Sequence, residues 1–312
     1  MDGSLQVARR EGDPLRMARL HLRSGEGARA FDLLAPLWRG AEESLQGHLS
    51  GELAAAFGSL ERPERLQRAE TLEELEVAGC APAGEALTRW LPPSRLLAGA
   101  SCLPLRAALY RNALSRLPLL LWGEQGTGHT LAARILHALG GHDESSFVEI
   151  YALSSRRRTE RDLAQLSLRD PGTPGTLYLS YANELGRWRD WVPETCRRLS
   201  LRLVIGMHTG VSQSLVLEGA PLISQGIRPL RERLEDLPAL VHALLRRAGV
   251  ADPAGAASEQ VLSDLADHDW PGNVRELANH VARAVRRADG DLSLIEEHLK
   301  HDLYGLPGEV GE

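Results

Sequence analysis

Residues 123 to 130 read Gly-Glu-Gln-Gly-Thr-Gly-His-Thr. The pattern Gly-x-x-x-x-Gly-Lys-Ser/Thr makes a phosphate-binding loop, in which glycines let backbone N–H groups face an anion and the lysine reaches the outer phosphates. Gly123, Gly128 and Thr130 fit that pattern, and His129 stands where the lysine belongs. The flanks restrict the fold further. Leu117–Trp122 is an apolar run of the length of a buried strand, and Thr130–Leu139 follows with helical spacing. Strand, glycine loop and helix in that order build an anion site at a helix N-terminus.

At 312 residues the chain is long enough for two or three units. With 43% hydrophobic and 25% charged residues its composition is that of an ordinary globular protein. The net charge of -6 argues against nonspecific coating of nucleic acid, and no direct DNA binding is expected. No apolar run approaches membrane-spanning length, and Met1-Asp2-Gly3-Ser4 has no signal-peptide pattern, so no membrane contact and a cytoplasmic location are expected. Cys80, Cys102 and Cys196 are scattered without metal spacing and read as reduced structural thiols. The 11 histidines form no metal-spaced cluster either. Of 36 basic residues only Lys300 is lysine. A codon bias of that kind replaces lysine with arginine and does not explain histidine at 129.

Residues 1–95 read as an all-helical N-terminal unit. Leu15, Ala18 and Leu22, then Ala30, Leu33, Leu34 and Leu37, fall on helical faces about a Ser24-Gly25 turn, and Glu42–Phe57 and Glu64–Val77 continue the pattern. The texture of residues 14–40 is similar to one helix pair of a tetratricopeptide repeat, without a second copy at fixed period. Leu91-Pro92-Pro93-Ser94 marks a boundary. Residues 96–238 alternate strand-like and helical runs, with candidate strands Leu117–Trp122, Phe147–Tyr151, Thr176–Leu179 and Leu201–Met207; this predicts an α/β core with a parallel sheet. Residues 239–300 read as a helical lid, with runs at Ala239–Ala248, Ser258–Asp267, Asn273–Ala288 and Leu294–His298, and 301–312 as a tail.

Four blocks stand in fixed order: the glycine loop, Phe147–Ile150, Gly175–Leu185, and Arg228-Pro-Leu-Arg-Glu-Arg-Leu-Glu-Asp-Leu-Pro238 followed by Trp270-Pro-Gly-Asn-Val-Arg-Glu-Leu277. This set resembles the AAA+ domain of sigma-54-dependent transcription activators, also called bacterial enhancer-binding proteins, over roughly residues 100–300. The resemblance implies a P-loop AAA+ core with a C-terminal helical lid and places nucleotide between the two. It assigns nucleotide contacts to Gly123, Glu124, Gln125, Gly126, Thr127, Gly128, His129 and Thr130, with Thr130 as the magnesium-ligating hydroxyl, and to Arg275 of the lid. Arg134 and His137 match positions in the helix after the loop.

The departures fall on the chemistry. Where the family has Leu-Phe-Leu-Asp-Glu, this chain has Leu177-Tyr178-Leu179-Ser180-Tyr181, losing the metal-holding aspartate and the carboxylate that polarises water. Met207-His208 replaces Thr-Asn after the fourth strand, and the Gly-Ala-Phe-Thr-Gly-Ala contact loop is missing from the arginine-rich segment Tyr151–Pro174. His208–Ile227 is a shortened version of the segment that carries trans-acting arginines, and no matching pair is found there. No helix-turn-helix is expected after the lid. The resemblance with these losses implies a non-hydrolysing regulatory or scaffolding protein with weak ATP or ADP binding and a poor magnesium site. A slow but genuine ATPase and a regulator that co-assembles with an intact activator stand as alternatives. A protein partner is expected on the N-terminal helical unit, with Leu20, Leu22, Phe31, Leu34 and Trp38 as candidate contacts that the bundle's own core also claims, or on the AAA+ ring face, and an oligomer fits the family.

Overall fold

The structure, a computed structural model, describes residues 13–61, 63–69, 97, 99–151, 173–180, 191–208, 221–289 and 291–301. The chain divides into two compact units, Met1–Arg95 with Arg106–Leu114 and Leu96–Leu105 with Ser115–Glu312.

In the first unit, α1 (Pro14–Arg23), α2 (Gly27–Arg39) and α3 (Glu43–Gly58) pack in succession. Asp13 caps α1, its carboxylate accepting from the Leu15 and Arg16 N–H groups at 3.0 and 3.1 Å, and Pro14 supplies a first helical residue that needs no donor. Phe31, Leu34 and Trp38 of α2 are buried in this unit's own core with Leu53 and Phe57. The Phe31 and Phe57 rings lie 5.9 Å apart, and the Trp38 indole N–H is shared by the Gln46 carbonyl and the Ser50 hydroxyl, each at 3.0 Å. These three side chains serve the bundle's own core, the alternative that their spacing also allowed; an indole with its donor satisfied inside the bundle has no polar handle to offer outside. Leu20 and Leu22 are half-buried. The expected helix over Glu64–Val77 and the Leu91–Ser94 boundary fall largely or wholly outside the described residues.

The second unit holds the sheet. Beyond α4 (Leu103–Asn112), whose residues from Arg106 on belong to the first unit, come β1 (Leu119–Gly123), α5 (His129–Leu139), β2 (Phe147–Tyr151), β3 (Gly175–Ser180), α6 (Trp191–Arg198), β4 (Leu201–His208) and β5 (Ile223–Ile227). The order is β2-β3-β4-β1-β5 and every pairing is parallel. β1 runs Leu119↔Val204 to Gly123↔His208 against β4, and Leu119↔Ile223 to Gly123↔Ile227 against β5. β3 is buried along its whole length, as a central parallel strand covered on both faces must be.

β5 departs from the sequence reading, which left Ile223–Ile227 inside a shortened arginine segment. The run Ile-Ser-Gln-Gly-Ile lacks an apolar stretch because, among the described strands, this is an edge paired to β1 alone. Its Gly226 leaves room for Trp122: a Cβ there would lie 2.7 Å from the indole. His137 and Arg134 also find structural partners. The His137 ring bridges Thr176 Oγ1 at 3.0 Å and the Asp143 carbonyl at 2.9 Å, and Arg134 pairs with Glu144 while lying 4.5 Å over the Phe147 ring.

The lid comprises α7 (Leu237–Arg247), α8 (Glu259–Ala266), α9 (Asn273–Ala288) and α10 (Leu292–His301) around a core that includes Leu230, Trp270, Leu277 and Val281. The Trp270 indole donates to the Leu265 carbonyl at 2.8 Å. Cys102 and Cys196 are buried thiols outside any disulfide, and burial pushes the Cys196 thiol up to about 12, so it is inert as a nucleophile. Among the described residues no helix is long and apolar enough to cross a membrane.

Trp38→Ala is expected to destabilise the first unit by about 3–5 kcal/mol, whereas Leu45→Ala, at a side chain 47% exposed, changes stability by less than about 0.5 kcal/mol. Chemical denaturation followed by circular dichroism checks both.

Candidate nucleotide site

The glycine loop leaves β1 at Gly123, where a Cβ would sit 2.5 Å from the Ile227 carbonyl oxygen of β5. Gly126 and Gly128 have φ of 84° and 119°, the left-handed region that side chains rarely adopt. A Cβ on Gly126 would also run into the Gly272 carbonyl of the lid, so packing alone requires glycine there. Thr127 is turned inward: its hydroxyl donates to the Glu124 carbonyl at 2.9 Å, and its own carbonyl accepts from the Arg233 guanidinium at 3.3 Å. Arg233 lies 3.7 Å from the carboxylate of Asp236, which is fully buried and takes the Ser101 N–H at 3.0 Å and the Ser101 hydroxyl. This network braces the loop from within.

The lid grips the loop by its backbone. Asn273 is fully buried with φ 54°, one of the few non-glycine positions there. Its amide oxygen accepts from the Leu230 N–H at 2.7 Å, and its amide nitrogen donates to the Gln125 carbonyl at 2.9 Å and to a Glu124 carboxylate oxygen at 3.3 Å. Arg231 holds the same carboxylate with both guanidinium nitrogens, one at 2.7 Å; Arg231 first and Asn273 second keep the Glu124 carboxyl below its ordinary range. The Arg275 N–H donates to the Gly126 carbonyl at 3.2 Å. The Trp-Pro-Gly-Asn-Val-Arg-Glu-Leu block now has a physical reading. Trp270 and Leu277 anchor it in the lid core, Glu276 returns a bond to the Gly272 N–H at 2.8 Å, and Asn273 and Arg275 present themselves to the loop.

Between loop, sheet and lid lies a cavity of about 320 Å³ at the carboxyl ends of the strands, the position at which open α/β sheets receive ligands. Of the residues assigned to nucleotide by resemblance, Gly126, Gly128, His129, Thr130 and Arg275 line it. Glu124 and Gln125 are instead engaged with the lid and Thr127 is 2% exposed. Tyr178 of β3, Gly206 and His208 of β4, and Arg247 of α7 complete its polar character, and among the described residues no carboxylate lines it.

His129 opens α5 and is 7% exposed. Burial first, then His208 and Arg275, push its pKa down to about 4, against the Trp122 backbone, which favours the charged ring. The two histidine rings meet edge to face with centroids 5.9 Å apart, and burial followed by Arg275 lowers His208 as well. At neutral pH the lysine position is therefore uncharged. Ser180, in the place of the metal-holding aspartate, is 2% exposed and donates to the Ile150 carbonyl at 3.4 Å. Magnesium needs several hard oxygen donors, and of these the cavity wall offers the Thr130 hydroxyl and the phenol of Tyr178, so the described residues do not fit the ion. Among them no cluster of metal-ligating side chains occurs. Tyr181 and 152–172 lie outside the described residues.

Sequence reasoning missed Asn273, Arg231, Tyr178, Gly206 and Arg247. Two signals were available. Gly206 interrupts an apolar strand, as a site of close approach does, and here the Tyr178 hydroxyl occupies the space of its missing Cβ. Arg247 follows Leu240, Ala243 and Leu244 at helical spacing and so shares their face.

Residues 231–306 match the family described as the AAA+ ATPase lid domain. The chain is 29% identical over 231 residues to the Nif-specific regulatory protein of Herbaspirillum seropedicae, covering 62% of this chain and 42% of that one. It is 26% identical over 245 residues to the transcriptional regulator NtrC of Rhizobium meliloti, covering 64% and 50%. The chain carries an AAA+ domain of the sigma-54-activator type. It spans about half, or less, of the length of these relatives. The solved NtrX of Brucella abortus in complex with ADP superposes with a TM-score of 0.49 at 21% identity, over 71% of this chain and 60% of that one.

If the hydrogen bonds of Asn273 matter more than its backbone angle, Asn273→Gly costs about 2–4 kcal/mol despite relieving the positive φ; a neutral result in chemical denaturation contradicts the clasp. His129 gives a pH signature. Its folded pKa, about 4, lies below the unfolded 6.5, so its contribution is complete above pH 6.5 and is lost as the pH falls toward 4. The loss amounts to about 3 kcal/mol at the acid end. Stability measured across this window is expected to fall less steeply in His129→Gln than in the wild type.

Proposed function

We propose that this AAA+ domain binds a nucleoside di- or triphosphate weakly and does not hydrolyse it, acting as a regulatory or scaffolding module. The observation that supports this reading is the cavity lining: Arg247, Arg275 and two histidines, with no carboxylate among the described residues. Two guanidinium groups, the left-handed glycines and the free N–H groups of the first turn of α5 suit phosphate oxygens. Phosphoryl transfer needs more. It requires a metal to bridge the outer phosphates and a residue to position water, because its transition state is stabilised almost wholly by positioning and charge. Ser180 turns its hydroxyl to Ile150 and His129 is neutral, so neither substitutes. Restoring lysine alone by His129→Lys leaves the metal and water positions unfilled.

The same reading puts the protein in the cytoplasm with the transcription machinery, where it contacts a protein partner and joins or tunes a ring of intact activators. With Phe31, Leu34 and Trp38 committed to the first unit's core, the remaining candidates for that contact are the outer faces of its helices and the ring face of the AAA+ unit. The segment Tyr151–Pro174 has no Gly-Ala-Phe-Thr-Gly-Ala loop, so the domain alone is not expected to open a sigma-54 promoter complex.

Calorimetry with ATP and ADP, with and without magnesium, tests the binding claim. Both nucleotides are expected to bind with affinities that magnesium changes by less than about threefold, and Arg275→Ala weakens them by about tenfold or more. A large gain in affinity on adding magnesium contradicts the reading.

A further inference from the structure

We propose that the cavity selects a nucleoside diphosphate over the triphosphate, because the phenol of Tyr178 fills the corner in which an outer phosphate would lie. This rests on the reading of the cavity as a nucleotide site and names the ligand that site prefers.

Two positions mark the corner. In a phosphate-binding loop the lysine reaches the outer phosphates, and a carboxylate at a strand end holds the metal that bridges them. His129 and Ser180 stand at those positions, so the outer-phosphate end is the corner between α5, β3 and β4. The cavity wall there consists of His129, Tyr178, Gly206 and His208.

Tyr178 enters the corner from two residues before Ser180. Leu179 pairs with Ile205, so the next residues on the two strands, Ser180 and Gly206, stand level. The Tyr178 hydroxyl lies 2.5 Å from where a Gly206 Cβ would be, so the phenol leans along its strand to the level of Ser180. Glycine at 206 is what admits it. The ring is held by Phe147 of β2, with centroids 6.2 Å apart.

His129 closes the same corner instead of reaching out as a lysine arm does. Its Nε2 lies 3.3 Å from where a Gly123 Cβ would stand, and its ring meets that of His208 edge to face with centroids 5.9 Å apart. Three rings therefore wall the place of the outer phosphate. On this side of the cavity a phenol and two imidazoles replace lysine and the metal-holding carboxylate, and burying a further phosphate charge without those partners is costly. A diphosphate needs only the glycine loop, the first turn of α5 and the guanidinium groups that Arg275 and Arg247 bring from the lid. The volume agrees: about 320 Å³ is at the small end of ligand pockets, which run from about 300 to 1,000 Å³.

The experiment is calorimetry of AMP, ADP, ATP, pyrophosphate and tripolyphosphate at one pH in the presence of a chelator. ADP is expected to bind about tenfold or more tightly than ATP and than AMP, and pyrophosphate about tenfold or more tightly than tripolyphosphate. Tyr178→Leu opens the corner and keeps it apolar. It is expected to bring ATP to within about threefold of ADP, with circular dichroism checking that it folds. Tyr178→Phe removes the hydroxyl alone and is expected to narrow the gap in the same direction by less. ATP bound by the wild type as tightly as ADP overturns the inference and leaves the nucleotide reading standing. A preference for ADP that stays whole in the folded variants overturns it by placing the exclusion elsewhere. AMP as tight as ADP, or tripolyphosphate as tight as pyrophosphate, overturns the selection of two phosphates. No binding of any of these ligands overturns both readings.

Discussion

One buried amide holds the site together. The side chain of Asn273 joins the Leu230 N–H, the Gln125 carbonyl and the Glu124 carboxylate, and so ties the first residues of α9 to the glycine loop and to the segment that leads into the lid. Each of these groups would be costly to leave unpaired away from water. Arg231 and the Arg275 N–H extend the clasp, and the Arg233–Asp236–Ser101 network secures the loop from the other side. The positions of His129, Thr130 and Arg275 around the cavity follow from this frame.

The clasp explains how a domain of this kind can keep its shape while its chemistry changes. Gly126 is fixed by the Gly272 carbonyl, Glu124 by Arg231, and Thr127 by its own turn, none of which involves a ligand. Neither His129 nor Ser180 takes part in these bonds. His129 and Ser180 fit the buried environment, the first by staying neutral and the second by donating to Ile150. Frame and chemistry reside on different residues, so one can be lost without the other.

Much of the fold was legible in the sequence because β1 to β4 are apolar runs and the lid helices have clear periodicity. β5 was not, since an edge strand paired only by its backbone can read Ile-Ser-Gln-Gly-Ile. The departure at His129 was plain from spacing alone, but its burial and its neighbour His208 depend on strands far apart in the chain. Asn273 stood within a motif whose wording was readable and whose hydrogen bonds, to residues about 45 and 150 positions away, were not. Phe31, Leu34 and Trp38 illustrate the converse: helical spacing identified an apolar face and could not say whether partner or bundle covers it.

The central claim is that the site holds a nucleotide and leaves it intact. A single-turnover experiment tests this most directly: ATP is mixed with excess protein and magnesium at neutral pH, and the bound nucleotide is recovered by acid quench and chromatography over several hours. The account predicts that ATP is recovered unchanged. Conversion of bound ATP to ADP within minutes, abolished by Arg275→Ala, would contradict it.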